Sequence, residues 1–165
     1  MVLFLAGLAV CVSGVIRAGG IAVLLNANLP LTDVKPLIDF ADTKYLLFGK
    51  THDFEGHVQD IDILSESTGL DEASCISILD EAFTDFQYIE PCAEGWNVRD
   101  DAYMIYTSGT TAFPKAVINS QYAMVNLTAR IIQELRPLLG KRGLIGVPFF
   151  HVFALMGIWA YLGNG

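Results

Sequence analysis

Apolar residues crowd the opening run Met1-Val-Leu-Phe-Leu-Ala-Gly-Leu-Ala-Val-Cys-Val-Ser-Gly-Val-Ile16 until Arg17 interrupts it. Such a run suits a helix buried between a sheet and other helices. A secretory leader would place a basic residue ahead of the apolar stretch, and a spanning helix needs roughly 20 apolar residues, a length Arg17 cuts short. A membrane-associated module using residues 1–25 therefore stands second to the buried helix. Gly7 and Gly14 lie a heptad apart, hence on one side of that helix, where they would allow close packing.

After Ala18-Gly-Gly20, the run Ile21-Ala-Val-Leu-Leu25 predicts a buried strand. Val34, Leu37, Ile38 and Ala41 recur at helical spacing behind Thr32, which predicts a short helix with Thr32 as its N-cap and Pro36 tolerated only in its first turns. Lys44-Tyr-Leu-Leu-Phe48, closed by Gly49, predicts a second buried strand, and residues 58–64, alternating apolar and acidic, a weaker third. Residues 53–101 hold most of the acids and read as a solvated surface segment, with periodicity only at 75–86. Ala102-Tyr-Met-Ile-Tyr106 is strand-like and leads through a polar loop to Ala116-Val-Ile118. A helix capped by Ser120 runs to Leu135, and Gly143-Leu-Ile-Gly-Val147 predicts another strand before Pro148-Phe-Phe-His151. The strand–helix–strand rhythm predicts an α/β fold, a parallel sheet built from βαβ units with flanking helices.

With 165 residues, 53% of them hydrophobic, the chain has the material for one domain or part of a larger one. A net charge of −8 and ten scattered Lys and Arg argue against a nucleic-acid partner. Cys11, Cys75 and Cys92 form no disulfide framework, and neither they nor His52, His57 and His151 show metal-ligand spacing, which suits a reducing, cytoplasmic setting and predicts no metal site.

The chemistry concentrates in Thr107-Ser-Gly-Thr-Thr-Ala-Phe-Pro-Lys115. Close backbone N–H groups, hydroxyl donors and one mobile cation are what phosphate oxygens need. An ordinary polar hairpin is the alternative, since Ser, Thr and Gly populate turns anyway. The loop is no Walker A motif: Pro114 stands where the second glycine belongs, and Ala116 replaces the magnesium-binding hydroxyl.

Tyr106-Thr-Ser-Gly-Thr-Thr-Ala-Phe-Pro-Lys-Ala-Val117 resembles the signature loop of the adenylate-forming (AMP-binding) enzymes, of acyl-CoA synthetase and adenylation-domain type, usually Thr-Ser-Gly-Thr-Thr-Gly-x-Pro-Lys-Gly. Ala18-Gly-Gly-Ile-Ala-Val-Leu-Leu-Asn26 with Pro30 is similar to an upstream family stretch, and Pro148-Phe-Phe-His151 to its downstream Pro-x-x-His motif. The resemblance implies a ligase that condenses a carboxylic acid with ATP, using Mg²⁺, to an acyl-adenylate and pyrophosphate, and then passes the acyl group to CoA or a carrier-protein pantetheine. It implies that Thr107, Ser108, Gly109, Thr110, Thr111 and Lys115 hold the β- and γ-phosphates. His151 would lie at the acid pocket, with Phe149, Phe150 and Phe153 as its apolar wall. Ala112 and Ala116 replace usual glycines, and Gln121 stands where many relatives have histidine. Set against the family, residues 1–165 are expected to be part of the large N-terminal domain, without the small C-terminal domain, and to lack adenylation activity as this chain alone. A non-enzymatic remnant, or a chain that pairs with a separately encoded remainder of the enzyme, are the other expectations.

Overall fold

The structure, a computed structural model, describes residues 2–26, 29–48, 61–77, 95, 97–107, 114–135 and 145–164, without the side chains of 2–8, 31, 61–64 and 77. By contacts the chain divides into two units, residues 1–25 with 91–165, and residues 26–90.

In the first unit, helix α1 (Val2–Arg17) leads into strand β1 (Ala22–Leu24). The helix stops in a Schellman turn: the N–H of Gly20 donates to the Val15 carbonyl at 2.9 Å and that of Gly19 to the Ile16 carbonyl at 3.0 Å. Gly19 takes φ +82°, which a side chain would resist. Thus Ala18-Gly-Gly20 is where the helix ends and the chain turns into the sheet. β1 pairs in parallel with β4 (Asp101–Thr107), and β4 pairs antiparallel with β5 (Lys115–Ser120), so β4 is the central strand. The parallel sheet expected from the rhythm is therefore mixed in this unit. Helix α4 (Gln121–Leu135) follows β5 directly, and α5 (Val152–Asn164) packs on α4. The core gathers Val12, Ile16, Ala22, Leu24, Ala102, Tyr103, Leu155 and Met156. The Tyr103 and Trp159 rings lie 5.7 Å apart, tilted by 55°.

Ser120 caps α4 as its sequence predicts, its Oγ accepting the N–H of Ala123 at 3.2 Å. α5 has no counterpart in the sequence reading, because its run is apolar almost all round and shows no polar stripe from which to read a period. The strand expected at 143–147 is not found: residues 145–147 are described and belong to no strand, entering instead the turn before α5, while 143 and 144 lie outside the described residues. Gly14 allows no close packing either, since a Cβ there would meet nothing within 4 Å.

In the second unit, α2 (Leu31–Phe40) buries Val34, Leu37 and Ile38, the face its periodicity predicts. Its N-cap is Pro30, not Thr32: the N–H of Asp33 donates to the Pro30 carbonyl at 2.9 Å, and Thr32 already lies inside the helix. Pro36 sits in the second turn, where it cannot supply the N–H that would bond the Thr32 carbonyl. β2 (Leu46–Phe48) and β3 (Cys75–Ser77) pair in parallel, joined through α3 (Ile61–Thr68) and a 3-10 turn at Glu72–Ser74, which makes a βαβ unit. The weaker strand expected over 58–64 is corrected at 61–64, which open α3. Ile61, Leu64 and Thr68 share a helical face as well as the apolar–acidic alternation suits a strand, and the crossover between two parallel strands selects the helix. Residues 58–60 lie outside the described residues. The segment read as solvated surface thus contains a helix and a strand, with Thr68 and Cys75 buried.

Candidate functional site

β4 grips the core through Ala102 and Tyr103, 0% and 1% exposed, and becomes progressively more open toward Thr107. A bulge between Asp101 and Tyr103 shifts the register once, after which five consecutive pairs run regularly from Tyr103↔Asn119 to Thr107↔Lys115. The candidate loop leaves from Thr107 and returns at Lys115, directly opposite it in the ladder, at the roughly 5 Å Cα spacing of antiparallel partners. The Thr107 hydroxyl donates to the Lys115 carbonyl at 3.3 Å. Both residues are exposed, and the Lys115 ammonium makes no ion pair among the described residues. Ser108, Gly109, Thr110 and Thr111 lie outside the described residues.

Helix α4 starts at the other end of β5, and its first amides are taken. Gln121 N–H donates to the Asp100 carbonyl at 2.9 Å, Tyr122 N–H to the Val98 carbonyl at 2.7 Å, and Ala123 N–H to Ser120. The turn that supplies these carbonyls is itself closed, Asp100 Oδ2 accepting from Asn97 N–H and Asn97 Oδ1 from Arg99 N–H, both at 2.9 Å. The positive end of α4 is therefore not directed at this hairpin's loop.

His151 opens α5. Its carbonyl accepts from the N–H groups of Ala154 at 3.1 Å and Leu155 at 3.4 Å, and its Nδ1 from that of Phe153 at a long 3.5 Å. The imidazole is exposed; with Nδ1 facing an N–H, Nε2 is the nitrogen it presents outward. The three phenylalanines expected beside it diverge: Phe150 packs against the core, Phe149 is half-buried and Phe153 is 69% exposed. A small open cleft of about 230 Å³ lies elsewhere, lined by Ser13, Ile16, Arg17, Met124 and Trp159, with the Trp159 indole N–H 3.5 Å from Ser13 Oγ. The sequence carried no signal for it, since its residues come from α1, α4 and α5. His52, His57 and Cys92 lie outside the described residues, and among the described residues no three His, Cys, Asp or Glu gather as a metal site.

The sequence model of the AMP-binding enzyme family matches residues 6–165. The chain belongs to the AMP-binding enzyme family. A D-alanine–D-alanyl carrier protein ligase from Listeria innocua is 26% identical over 152 residues, which is 92% of this chain and 28% of that protein. Among solved structures, a malonyl-CoA ligase bound to methylmalonyl-CoA and AMP superposes with a TM-score of 0.69 at 20% identity, covering 96% of this chain and 31% of that one. The N-terminal domain of FACL13 from Mycobacterium tuberculosis gives 0.66 at 21% identity, covering 90% of this chain and 37% of that one. This AMP-binding enzyme chain therefore spans under two fifths of the length of these relatives. Its fold is the α/β fold of N-terminal domains in adenylate-forming enzymes, as the signature loop implies.

Proposed function

We propose that the β4–β5 hairpin is the triphosphate cradle of an ATP-dependent ligase that activates a carboxylic acid. In that reaction the acid's carboxylate attacks the α-phosphorus of ATP, pyrophosphate leaves, and the acyl-adenylate passes its acyl group to the thiol of CoA or of a carrier-protein pantetheine. The observation that carries the reading is the exposed Lys115, without an ion pair among the described residues, standing opposite Thr107 on the last rung of a ladder whose far part is buried. A leaving pyrophosphate is stabilised mainly by positioned charge, and a mobile cation on a rigid strand end supplies that. Ser108, Gly109, Thr110 and Thr111 would surround the phosphates with hydroxyl and backbone donors. Mg²⁺, when bound, would offset further phosphate charge; no described residue is assigned to it. His151 would present Nε2 toward the acid, beside Phe150. The remaining groups, for adenine, ribose and the acid, would come from the rest of the enzyme, in the same polypeptide or in a separately encoded one.

Inorganic tripolyphosphate tests the cradle without needing the rest of the site. Calorimetric titration is expected to show binding by the 165-residue chain that Lys115→Ala weakens at least about tenfold, the worth of one charged hydrogen bond. Equal binding by the variant would overturn the assignment. The chain alone is expected to release no pyrophosphate with an acid and ATP, since one side of a site cannot position both. Acid-dependent release that Lys115→Ala abolishes would show that expectation to be wrong.

A further inference from the structure

We infer that the cleft between α1, α4 and α5 is a second binding site, for a small carboxylate with a flat apolar body, separate from the hairpin and independent of the triphosphate reading. The cleft, of about 230 Å³, is lined by Ser13, Ile16, Arg17, Met124 and Trp159. Ser13, Ile16 and Arg17 stand at i, i+3 and i+4 of α1, so they share one face of that helix. Arg17 precedes β1, whose first residue pairs with Tyr103, and Tyr103 pairs with Asn119 near the end of β5; Met124 lies one helical turn beyond that end. The cleft is thus at the end of the sheet away from Lys115, with about 16 Å of β5 between Lys115 and Ser120.

The lining supplies an apolar body site and a polar head site. Ile16 is buried, and Met124, half-buried, packs against the same core. The Trp159 ring packs on Tyr103 at 5.7 Å, which fixes one wall before a ligand arrives. An indole N–H can only donate. That of Trp159 lies 3.5 Å from Ser13 Oγ, the outer limit of a hydrogen bond, and a carboxylate oxygen is a stronger acceptor than a hydroxyl. Arg17 is exposed at the rim and makes no ion pair among the described residues, and its planar fork matches a carboxylate through two parallel hydrogen bonds. Charge around the cleft has the sign an anion needs: α1 and α5 contain no Asp or Glu, and the one acid of α4, Glu134, pairs with Arg130 at 3.3 Å. The three helices are therefore locally cationic on a chain of net charge −8. The last carbonyls of α1, which would repel an anion, are occupied, those of Gly14, Val15 and Ile16 accepting from the N–H groups of Ala18, Gly20 and Gly19.

Benzoate and its uncharged isostere benzamide are the probes, read on the Trp159 indole N–H resonance of the 165-residue chain, with Trp96→Phe to assign that signal. Benzoate is expected to shift it saturably at about 1–10 mM, the weak end for a ligand of this size. Arg17→Gln should weaken benzoate at least about fivefold, Arg17→Lys should restore part of the loss, and benzamide should bind the wild type about as weakly as benzoate binds the glutamine variant. His151→Ala should leave the shift as it is. No saturable shift by about 50 mM, well above the range expected for such a ligand, would overturn the inference. Equal binding of benzoate and benzamide by the wild type would overturn it without relying on any variant, as would equal benzoate affinity in wild type and Arg17→Gln. A shift lost in His151→Ala would place benzoate beside His151 and overturn it as well.

Discussion

Burial pushes the Cys11 thiol and the Tyr103 phenol above their ordinary values of 9.0 and 10.0. At Cys75 the same desolvation acts first, the Asp71 carboxylate adds to it, and a hydrogen bond with Thr68 works against it. Tyr106, half-buried on β4, is raised by desolvation as well. Each of these groups is neutral when protonated, so a folded-state pKa above the unfolded one contributes stability fully present below the unfolded pKa and lost as pH rises through the folded one. The melting temperature is therefore expected to hold level across neutral pH and to fall from about pH 9 upward, where the unfolded thiols begin to ionise. A melting temperature unchanged well past pH 10 would contradict the burial of these groups. At this scale the family was legible: hydroxyls, glycine and lysine at the signature spacing imply it, and the family model matches residues 6–165. The hydrogen bond of the Thr107 hydroxyl was not, because its partner is a backbone carbonyl that any residue at position 115 would supply.

Among the elements, α1 makes the most direct case for glycines of opposite effect. Gly14 sits in the helix with open space around the position of a Cβ, whereas Gly19 ends the helix at positive φ. Gly14→Ala should stabilise the chain by roughly 0.5–1 kcal/mol through helix propensity. Gly19→Ala should cost about 1 kcal/mol, because alanine resists the left-handed region. Thermal melts would then shift by roughly 2–4 °C in opposite directions; shifts of the same sign would mean that α1 does not end in the turn described. Thr32 and Pro30 show how element ends mislead. A threonine ahead of an apolar face is a reasonable cap, yet the chain was already helical there, the fixed φ of Pro30 having begun the turn one residue before Leu31. α3 shows the other ambiguity, a short segment whose residues satisfy two periods at once.

For the molecule as a whole, the first unit is discontinuous in sequence, residues 1–25 joining 91–165. Val12, Ile16, Ala22 and Leu24 make up half of its buried cluster, and β1 covers one edge of β4. A chain lacking residues 1–25 is therefore expected to lose the cooperative thermal transition of this unit, seen as loss of near-ultraviolet circular dichroism from the Tyr103–Trp159 pair. Retention of that signal would show that 91–165 forms its own core. The opening apolar run is helical as read, and over residues 9–17 it buries one face, Cys11, Val12 and Ile16, while Val10 is 53% exposed; no helix among the described residues is long and apolar enough to cross a membrane.

Short-range chemistry wrote much of this protein into its sequence. The Ser120 cap, the buried face of α2, the glycine turn that ends α1 at Ala18-Gly-Gly20 and the strand-forming run of β4 each depend on residues within a few positions of one another, so their physical cause is visible in a short window. The long-range arrangement was settled only by packing. Nothing in either segment says that β1 must lie beside β4 with the whole of 26–90 between them, or that β5 must return antiparallel. The same holds for α5, whose apolar residues become a helix against α4 because that buries them, and for His151, whose ring is turned toward the first amides of that helix. Hydrophobic burial is non-directional: it shows which residues must leave water, and only the folded chain decides against what they are placed.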